Sequence, residues 1–501
     1  MSDEGEGLMS IKGVTRRQGD VGVMSEQMTA RGGGGVVAAA APVAARHAAN
    51  ALEAGGNVYD AVLTATLVEA VVLPPKCGPA GDVIALVWEA GADRPEALLA
   101  IGGAPSGLRD VMGQLAATGP LSIGVPGAPA GYEALAGRSR LGVDRAAAIA
   151  ERVAADGFAW STVCTVLTEE ALPLLLQWQP DGCVYLPHGA PLQPGALVEL
   201  PRLGAAVAAM ARAGSRWADS EIADDALRRI SDVGGVVTRD DLRSARAEWV
   251  SPDERQLAST RLFASPAPTH GASLLTAMGE LDDPASERAI HRAVMSAVAR
   301  ARAALADPSG TSMVSAVDRW GNAAVVIHSN SFPQFGSGIV VPEHDLILCN
   351  RAGRGFSSDP SHPNSPMPGR RPATTLHAWG YEATDGSRVL GATPGGANQM
   401  PWNVQTLARI AAGGWSSDDR LLADAIVGPR WQWEPSDDSL RIEEGFSEQS
   451  RAELAGVAVT ADVPQWGLRS AMQIVATAPT DGSGVARAFA DPRTQAAVLP
   501  V

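Results

Sequence analysis

From Val36 onward, some segments have the spacing of apolar residues that is typical of strands and others the spacing typical of helices. Together they predict alternating strands and helices. An alanine-rich apolar segment begins near Val58, and Asn57 before it is a suitable helix N-cap, with Asp60 in the first turn. Two short apolar runs, 83–88 and 97–101, are separated by a polar turn and predict a pair of strands. The N-terminal half therefore mixes both element types.

The rest of the chain extends this pattern. Residues from about 128 to 230 are predicted to be mostly helical, and two further helices are expected at 272–281 and 282–306. Strands dominate from 311 to about 390. The last predicted elements are helices at 403–412 and 417–427 and strands at 472–476 and 484–490. Strands on both sides of residue 311, with helices between them, favour two sheets packed between helical layers.

The segment 310–331 predicts a β-hairpin with an unusual pair of hydroxyl groups. Thr311 and Ser329 are equidistant from Trp320, so a loop centred on Trp320 places the two side chains opposite each other. Gly310 precedes Thr311 and leaves its own carbonyl unshielded, which suits a self-cleaving nucleophile. After cleavage, the free α-amine of Thr311 could serve as the base for its own hydroxyl. The alternative is an ordinary threonine-containing strand, and these residues alone favour it.

The motif around Thr311 resembles the cleavage site of the γ-glutamyltranspeptidase family, Thr-Thr/Ser-x-x-Ser-x-x-Asp-x-x-Gly-Asn. Here it spans Thr311 to Asn322. The resemblance covers most of the chain, since further motifs follow in family order. These are Val36–Pro42, Ala54–Ala61, Gly124–Gly127, Phe335–Gly338, Asn350-Arg351, Phe356 with Asp359-Pro360, Arg371–Thr375, Thr393–Gly396 and Asp491–Arg493.

The resemblance implies an α/β fold, the four-layer αββα sandwich of N-terminal-nucleophile hydrolases. It also implies self-cleavage between Gly310 and Thr311. The resulting heavy segment, 35–310, and light segment, 311–501, would remain associated as one intertwined domain. Residues 1–34, which reach into the four glycines at 32–35, are expected to form a flexible leader.

The family pattern assigns roles to several residues of this chain. Thr311 would be the nucleophile of both autoprocessing and catalysis, and Ser329 would orient and polarise its hydroxyl. Gly395 and Gly396 would hold the oxyanion through their backbone N–H groups. Thr374 and Thr375 match a hydroxyl pair that contacts the substrate carboxylate in relatives; the alternative is a pair of solvent-facing strand residues.

Two departures from the family pattern affect the expected substrate. Ile101 stands where relatives carry the arginine that clamps the α-carboxylate of the γ-glutamyl group, and Gly355 stands where they carry the acidic partner of its α-ammonium. An ammonium buried without a partner is costly, so a γ-glutamyl donor such as glutathione is disfavoured. Arg351 and Arg354 instead offer guanidinium groups for a carboxylate or keto-acid, unless they form a surface salt-bridging loop.

Residues beside Ser329 are further candidates. Asn330 and Gln334 could line the pocket, whereas His328 is expected to face away from Ser329 and to pack in the strand. His270, in a Thr-His-Gly loop, is a weaker candidate from the heavy segment.

Composition narrows the choice of partners. The net charge of -15 and the lack of basic runs argue against nucleic acid and membrane surfaces, so a small-molecule substrate is expected. The four cysteines have no metal or redox spacing, and neither a metal nor another cofactor is predicted. The acidic N-terminus lacks the features of a secretory signal, and a cytoplasmic location is predicted.

We therefore predict a Thr-nucleophile hydrolase or acyltransferase that acts through an acyl-Thr311 ester on a carboxylate-bearing, non-glutamyl substrate. A refinement is resemblance to the divergent subgroup from alkylproline antibiotic pathways (lincomycin and pyrrolobenzodiazepines), which implies hydrolytic C–C cleavage. The alternatives are an ordinary γ-glutamyl transferase or amide hydrolase, and a non-catalytic binding relative of the same fold.

Overall fold

Two seven-stranded antiparallel sheets form the centre of this computed structural model, which describes residues 28–302, 310–457, 459–482 and 484–501. We call the sheet that contains Thr311 the hairpin sheet and the other the second sheet. The strand order of the hairpin sheet is Ala497–Pro500, Gly35–Ala39, Gly310–Asp318, Ala323–Ser331, Asp82–Trp88, Glu96–Ala100, Glu248–Val250. That of the second sheet is Thr29–Gly32, Ala486–Ala490, Gln473–Ala476, Arg388–Ala392, Trp379–Glu382, Arg261–Ala264, Asp253–Gln256.

The sheets pack face to face because each strand of the hairpin sheet alternates its side chains between two apolar environments. Met313, Val317 and Ile327 belong to the core between the sheets, together with residues of the second sheet such as Leu390. Val314 and its neighbours on the alternate positions belong instead to a core shared with the helices. A strand buried on both faces reads as a continuous apolar run, which is the pattern seen in the sequence.

Helices cover the outer face of each sheet and complete the predicted αββα sandwich. Pro42–Glu53 and Val58–Val72 pack on the hairpin sheet, and Gly271–Glu280 and Gln399–Ala412 on the second. The other helices are Ala128–Ala136, Val143–Asp156, Thr162–Glu170, Leu172–Trp178, Pro201–Ala213, Glu221–Asp232, Arg239–Arg243, Glu287–Arg302, Arg351–Gly355, Asp419–Val427 and Glu448–Glu453. The predicted N-cap is confirmed, since Asn57 and Asp60 form a reciprocal capping box.

Shorter strands form small sheets that are separate from the two large ones. They pair as Phe158–Ala159 with Leu197–Val198, as Val340–Val341 with Leu346–Ile347, and as a sheet of Trp431–Glu434, Ser439–Glu443 and Val459–Val463. Within the described ranges, the helices are too short or too polar to cross a lipid bilayer.

Each large sheet contains strands from both sides of Thr311, so the segments before and after it share one core. The predicted leader is too long at its C-terminal end. Thr29–Gly32 forms a strand that pairs residue by residue with Ala486–Ala490, because the edge of the second sheet offers it backbone hydrogen-bond partners. Residues 1–27 of the predicted leader, and 303–309 before the predicted cleavage point, lie outside the described residues.

Candidate active site

Three polar residues lie in one row across the hairpin sheet. Ser312 pairs with His328 in the antiparallel register, which places Thr311 beside Ser329, and Ser329 pairs with Asp82 on the next strand. Because directly opposite residues project from the same face, Thr311, Ser329 and Asp82 all project toward the second sheet. The register shifts between Gly310 and Ser312, so the strand Ala323–Ser331 carries a β-bulge at Ser329 and Asn330, opposite Thr311. The predicted opposition of Thr311 and Ser329 thus agrees with the register.

The hydroxyl of Thr311 contacts a residue that comes from the second sheet's helical layer. Nε2 of Gln399 lies 3.0 Å from Oγ1 of Thr311 and 3.4 Å from Oγ1 of Thr375. Gln399 is fully buried and is the first residue of the helix Gln399–Ala412. On the hairpin side, Oγ of Ser329 accepts a hydrogen bond of 2.8 Å from the N–H of Ser331. Segments from both sheets therefore converge on Thr311.

The two glycines proposed for the oxyanion lie on the turn that leads into Gln399. Gly395 has φ 145° and Gly396 has φ 62°, both in the region that glycine tolerates. A Cβ at Gly395 would lie only 2.2 Å from the ring of Trp402, so a larger residue does not fit. The N–H of Gln399 donates to the carbonyl of Gly396, which links the turn directly to the residue that contacts Thr311.

The predicted threonine pair separates in the structure. Oγ1 of Thr375 accepts a hydrogen bond from Nε2 of Gln399. Thr374 accepts a hydrogen bond of 3.2 Å from the N–H of Leu376, so its hydroxyl is turned to the backbone. Both side chains are buried, so neither is a solvent-facing strand residue.

Arg351 forms a buried ion pair with Asp82 at the end of the polar row. Nε of Arg351 lies 2.6 Å from Oδ2 of Asp82, and both side chains are at most 1% exposed. Burial raises the pKa of Asp82, although Arg351 and the N–H of Gly102 oppose that effect. Nη2 of Arg351 is buried without a hydrogen-bond partner among the described residues. One edge of this guanidinium is therefore unsatisfied.

The positions that depart from the family pattern are filled by apolar packing. Ile101 is buried in the core between the sheets, directly before Gly102, whose N–H reaches Asp82. Gly355 packs so closely that an added Cβ would lie 2.4 Å from Cβ of Pro372. A carboxylate therefore does not fit at residue 355. Arg351 bonds Asp82, whose other oxygen accepts from the N–H of Gly102, the residue after Ile101.

The remaining candidates are Asn330, Arg354 and Gln334. Asn330 donates to the carbonyl of Pro74 and packs beside Gly78 and Gly81, so it belongs to that loop. Arg354 is partly exposed, and its guanidinium carbon lies 5.9 Å from the ring centroid of Phe332. The side chain of Gln334 is only partly exposed, and its Oε1 is buried.

His328 faces away from Ser329, as predicted, and contacts Glu69 in the helix Val58–Val72. The two oxygens of Glu69 also accept from the hydroxyl of Ser312 and from the N–H groups of Ala40 and Ala41, at 2.6, 2.7 and 3.2 Å. With the 2.9 Å contact to His328, the carboxylate has four partners. Such a fully bonded carboxylate stabilises the reverse face of the strand that carries Thr311.

Glu69, His328 and Cys77 have ligand atoms within 4.8 Å of one another, a spacing compatible with a metal ion. Burial raises the pKa of the Cys77 thiol far above its usual value, which disfavours the thiolate that binds metal. Since the carboxylate is also fully hydrogen-bonded, we interpret the group as structural.

His270 is partly exposed, but its Nε2 is buried, and it lies near His377. Burial lowers its pKa to about 3, with a smaller contribution from His377. His377 is itself buried, which lowers its pKa to about 4. Both imidazoles are therefore neutral near pH 7.

Sequence reasoning missed Gln399 and Asp82. Gln399 follows the Pro-Gly-Gly turn by three residues, and this proximity was the available signal. Asp82 is the first residue of a strand that pairs with the Ser329 strand, but only the register identifies it as a neighbour of Ser329.

The γ-glutamyltranspeptidase family model matches residues 44–307 and 283–501 of this chain. The oxamate amidohydrolase proenzyme of Klebsiella pneumoniae is 27% identical over 475 residues, covering 82% of this chain and 88% of that protein. The glutathione hydrolase-like YwrD proenzyme of Bacillus subtilis is 24% identical and covers 90% and 95%, respectively. The crystal structure of cephalosporin acylase from Bacillus halodurans superposes with a TM-score of 0.82 at 23% identity, covering 99% of both chains, and shows the shared fold.

Proposed function

Because the chain belongs to the γ-glutamyltranspeptidase family of N-terminal-nucleophile hydrolases, we propose that Thr311 is its nucleophile in self-cleavage and in acyl transfer. The observation that carries the proposal is the position of Thr311. It lies opposite a β-bulge, beside Ser329, at the meeting point of segments from both sheets. Its hydroxyl is buried and accepts a hydrogen bond from a side chain of the opposite sheet's helical layer.

Self-cleavage begins with attack of Oγ1 of Thr311 on the carbonyl carbon of Gly310. The C–N bond breaks, the nitrogen takes a proton, and an ester joins residues 310 and 311. Water then hydrolyses the ester, which leaves a carboxylate on Gly310 and a free α-amine on Thr311. The bulge opposite Thr311 supports this step, because it removes the scissile bond from the regular ladder.

Acyl transfer then uses the same oxygen. The α-amine, with an ordinary pKa of about 7.7–8.0, accepts the hydroxyl proton while Oγ1 attacks the substrate carbonyl. The N–H groups of Gly395 and Gly396 stabilise the resulting oxyanion. Loss of the leaving amine gives acyl-Thr311, and water or an amine releases the product.

We further propose a substrate with a carboxylate and no α-ammonium. Arg351 supplies an unsatisfied guanidinium edge, while Gly355 leaves no acidic partner at the position where relatives bind an ammonium. Adjacent strands are about 4.8 Å apart, so Asp82 lies about 10 Å from Thr311 along the row. A short acyl chain that ends in a carboxylate matches that span. The relative named oxamate amidohydrolase is consistent with this class, since oxamate carries a carboxylate and an amide but no amine.

Purified protein should yield two fragments, 1–310 and 311–501, with threonine at the new N-terminus. Intact-mass measurement and N-terminal sequencing after prolonged incubation check this result. A chain that stays whole would favour the non-catalytic alternative.

Processed enzyme should hydrolyse oxamate or a glutaryl amide faster than glutathione, because glutathione brings an ammonium that the site cannot pair. Product release measured for each compound tests this. Rapid glutathione turnover would favour an ordinary γ-glutamyl transferase, and release of an oxalyl fragment from a cyclic keto-acid would favour C–C cleavage. The cytoplasmic location and this last activity remain predictions from the sequence.

Replacing Arg351 with lysine should raise the KM for a carboxylate substrate by about 10- to 100-fold, since one charged hydrogen bond is lost. Lysine keeps a positive charge beside Asp82, so the buried carboxylate stays compensated. Hydrolysis of an uncharged ester such as 4-nitrophenyl acetate should be nearly unchanged.

Arg202→Lys is the control, because Arg202 bonds both oxygens of Asp345 but is largely exposed and lies outside the polar row. An equal effect of both variants on KM would contradict the role of Arg351.

A further inference from the structure

We infer that Gln399 is a catalytic residue that donates a hydrogen bond to the nucleophilic oxygen of Thr311; the inference rests on the proposed role of Thr311. The contact of 3.0 Å is a direct one to the reacting atom, and Gln399 is fully buried. A side-chain amide held at this distance from an attacking hydroxyl affects both its direction and its charge. Gln399 therefore takes part in the reaction rather than in packing alone.

A chain of hydrogen bonds fixes the segment that Gln399 contacts. The indole N–H of Trp379 is an unambiguous donor, and it bonds Oδ1 of Asn403 at 2.9 Å. The amide of Asn403 must then present Nδ2 to Nε2 of His377, also at 2.9 Å. His377 in turn carries its proton on Nδ1 and donates it to the carbonyl of Thr375 at 2.8 Å.

This chain makes His377 and Asn403 positioning residues. The pKa of His377 is lowered to about 4 by burial, so the neutral imidazole and its tautomer persist across the physiological range. Thr375 is therefore held in one place, and its hydroxyl lies 3.4 Å from Nε2 of Gln399. The amide of Gln399 can thus bond both hydroxyl oxygens through its two N–H groups.

Donation by Gln399 has two consequences for the chemistry. A donor on one lone pair of Oγ1 directs the hydroxyl proton of Thr311 elsewhere, toward a base. The same bond stabilises Oγ1 when it leaves as an alkoxide during deacylation, in the manner of an oxyanion-hole donor. Meanwhile Oε1 of Gln399 is buried without a partner among the described residues. This acceptor is available to the α-ammonium that cleavage creates on Thr311.

The first test is the rate of self-cleavage during cell-free synthesis, followed on denaturing gels. Gln399→Ala should slow fragment formation by roughly 100-fold, the effect typical of removing one preorganised donor. Gln405→Ala is the matched control. Gln405 is equally buried in the same helix but bonds Pro401 and Trp431, so its loss should leave the cleavage rate close to that of the native chain.

The second test is the pH profile of the processed enzyme. Gln399→Glu places a negative charge beside the α-amine of Thr311, so the acidic limb of kcat/KM should move to higher pH. A structural role alone would not move that limb. Circular dichroism checks that each variant folds.

Cleavage of Gln399→Ala at the native rate would overturn the inference, and so would an unchanged acidic limb in Gln399→Glu. Either result would leave Thr311 as the nucleophile. An uncut native chain would instead remove the proposed function and this inference with it.

Discussion

Replacing Thr311 with alanine should leave one uncut chain without acyl-transfer activity. The substitution removes the attacking oxygen, and no α-amine is released at residue 311 when the chain is not cut. Loss of a covalent nucleophile lowers turnover by about 10⁴-fold or more in comparable hydrolases. Denaturing electrophoresis, intact mass and product assays check both effects. The measured turnover should fall to the background of the buffer.

Two further variants separate chemistry from folding. Thr311→Ser keeps the hydroxyl and should be cut, although more slowly, because it lacks the methyl group that restricts χ1. Thr311→Val keeps the branched shape in this buried position and should stay whole. Cleavage after residue 310 in either the alanine or the valine variant would assign the nucleophile to another residue.

The hairpin could be predicted because its determinants are local. Thr311 and Ser329 lie nine residues on either side of Trp320, and the register observed from Ser312 to Val317 follows that symmetry. The alternation of a strand also predicted that His328 turns away from Ser329, and its contact with Glu69 agrees. The bulge could not be predicted, since the register shift depends on the pairing of Gly310 with Ser331.

The rest of the candidate site depends on contacts between distant segments. Arg351 was identified by residue type, but its partner Asp82 is 269 positions away and becomes its neighbour only when the sheet forms. Gln399 approaches Thr311 from the opposite sheet across 88 positions. Local patterns carry no information about such pairings. The sequence therefore predicted the chemistry of the site better than it predicted which residues form the site.

The predicted end of the leader was wrong for a similar reason. Four glycines predict a flexible segment, yet Gly32 pairs with Ala486 and Gly35 opens a strand of the hairpin sheet. Their backbone hydrogen-bond partners come from the C-terminal part of the chain. Close approach to Val501 also explains why small residues occur here, because a Cβ at Gly34 would lie 2.8 Å from its carbonyl oxygen.

Asp491→Asn should be the most destabilising of the substitutions considered. The carboxylate of Asp491 lies 2.5 Å from Arg430 and 3.0 Å from Arg493, and all three side chains are fully buried. A neutral amide would remove the carboxylate that pairs with Arg430 and leave Arg493 with Glu443, a loss of about 3–5 kcal/mol. Asp491 also accepts from Ser470, whose hydroxyl lies 3.2 Å from that of Thr393. Because Thr393 begins the turn that carries Gly395, self-cleavage should slow as well.

The effect of Asp491→Asn should depend on pH with a definite sign. Burial alone would raise the pKa of Asp491, but Arg493 and Arg430 outweigh it and hold that pKa below its ordinary value. A depressed carboxylate pKa gives stability that is complete above the unfolded pKa of about 4 and is lost as pH falls through the folded pKa. The difference in thermal midpoint between native protein and variant should therefore be constant from pH 7 to 5 and shrink in stronger acid.

Asp424→Asn, in an exposed pair with Arg420, should barely change the midpoint at any of these pH values. Equal midpoints for native protein and Asp491→Asn at pH 7 would refute the stabilising role of this ion cluster.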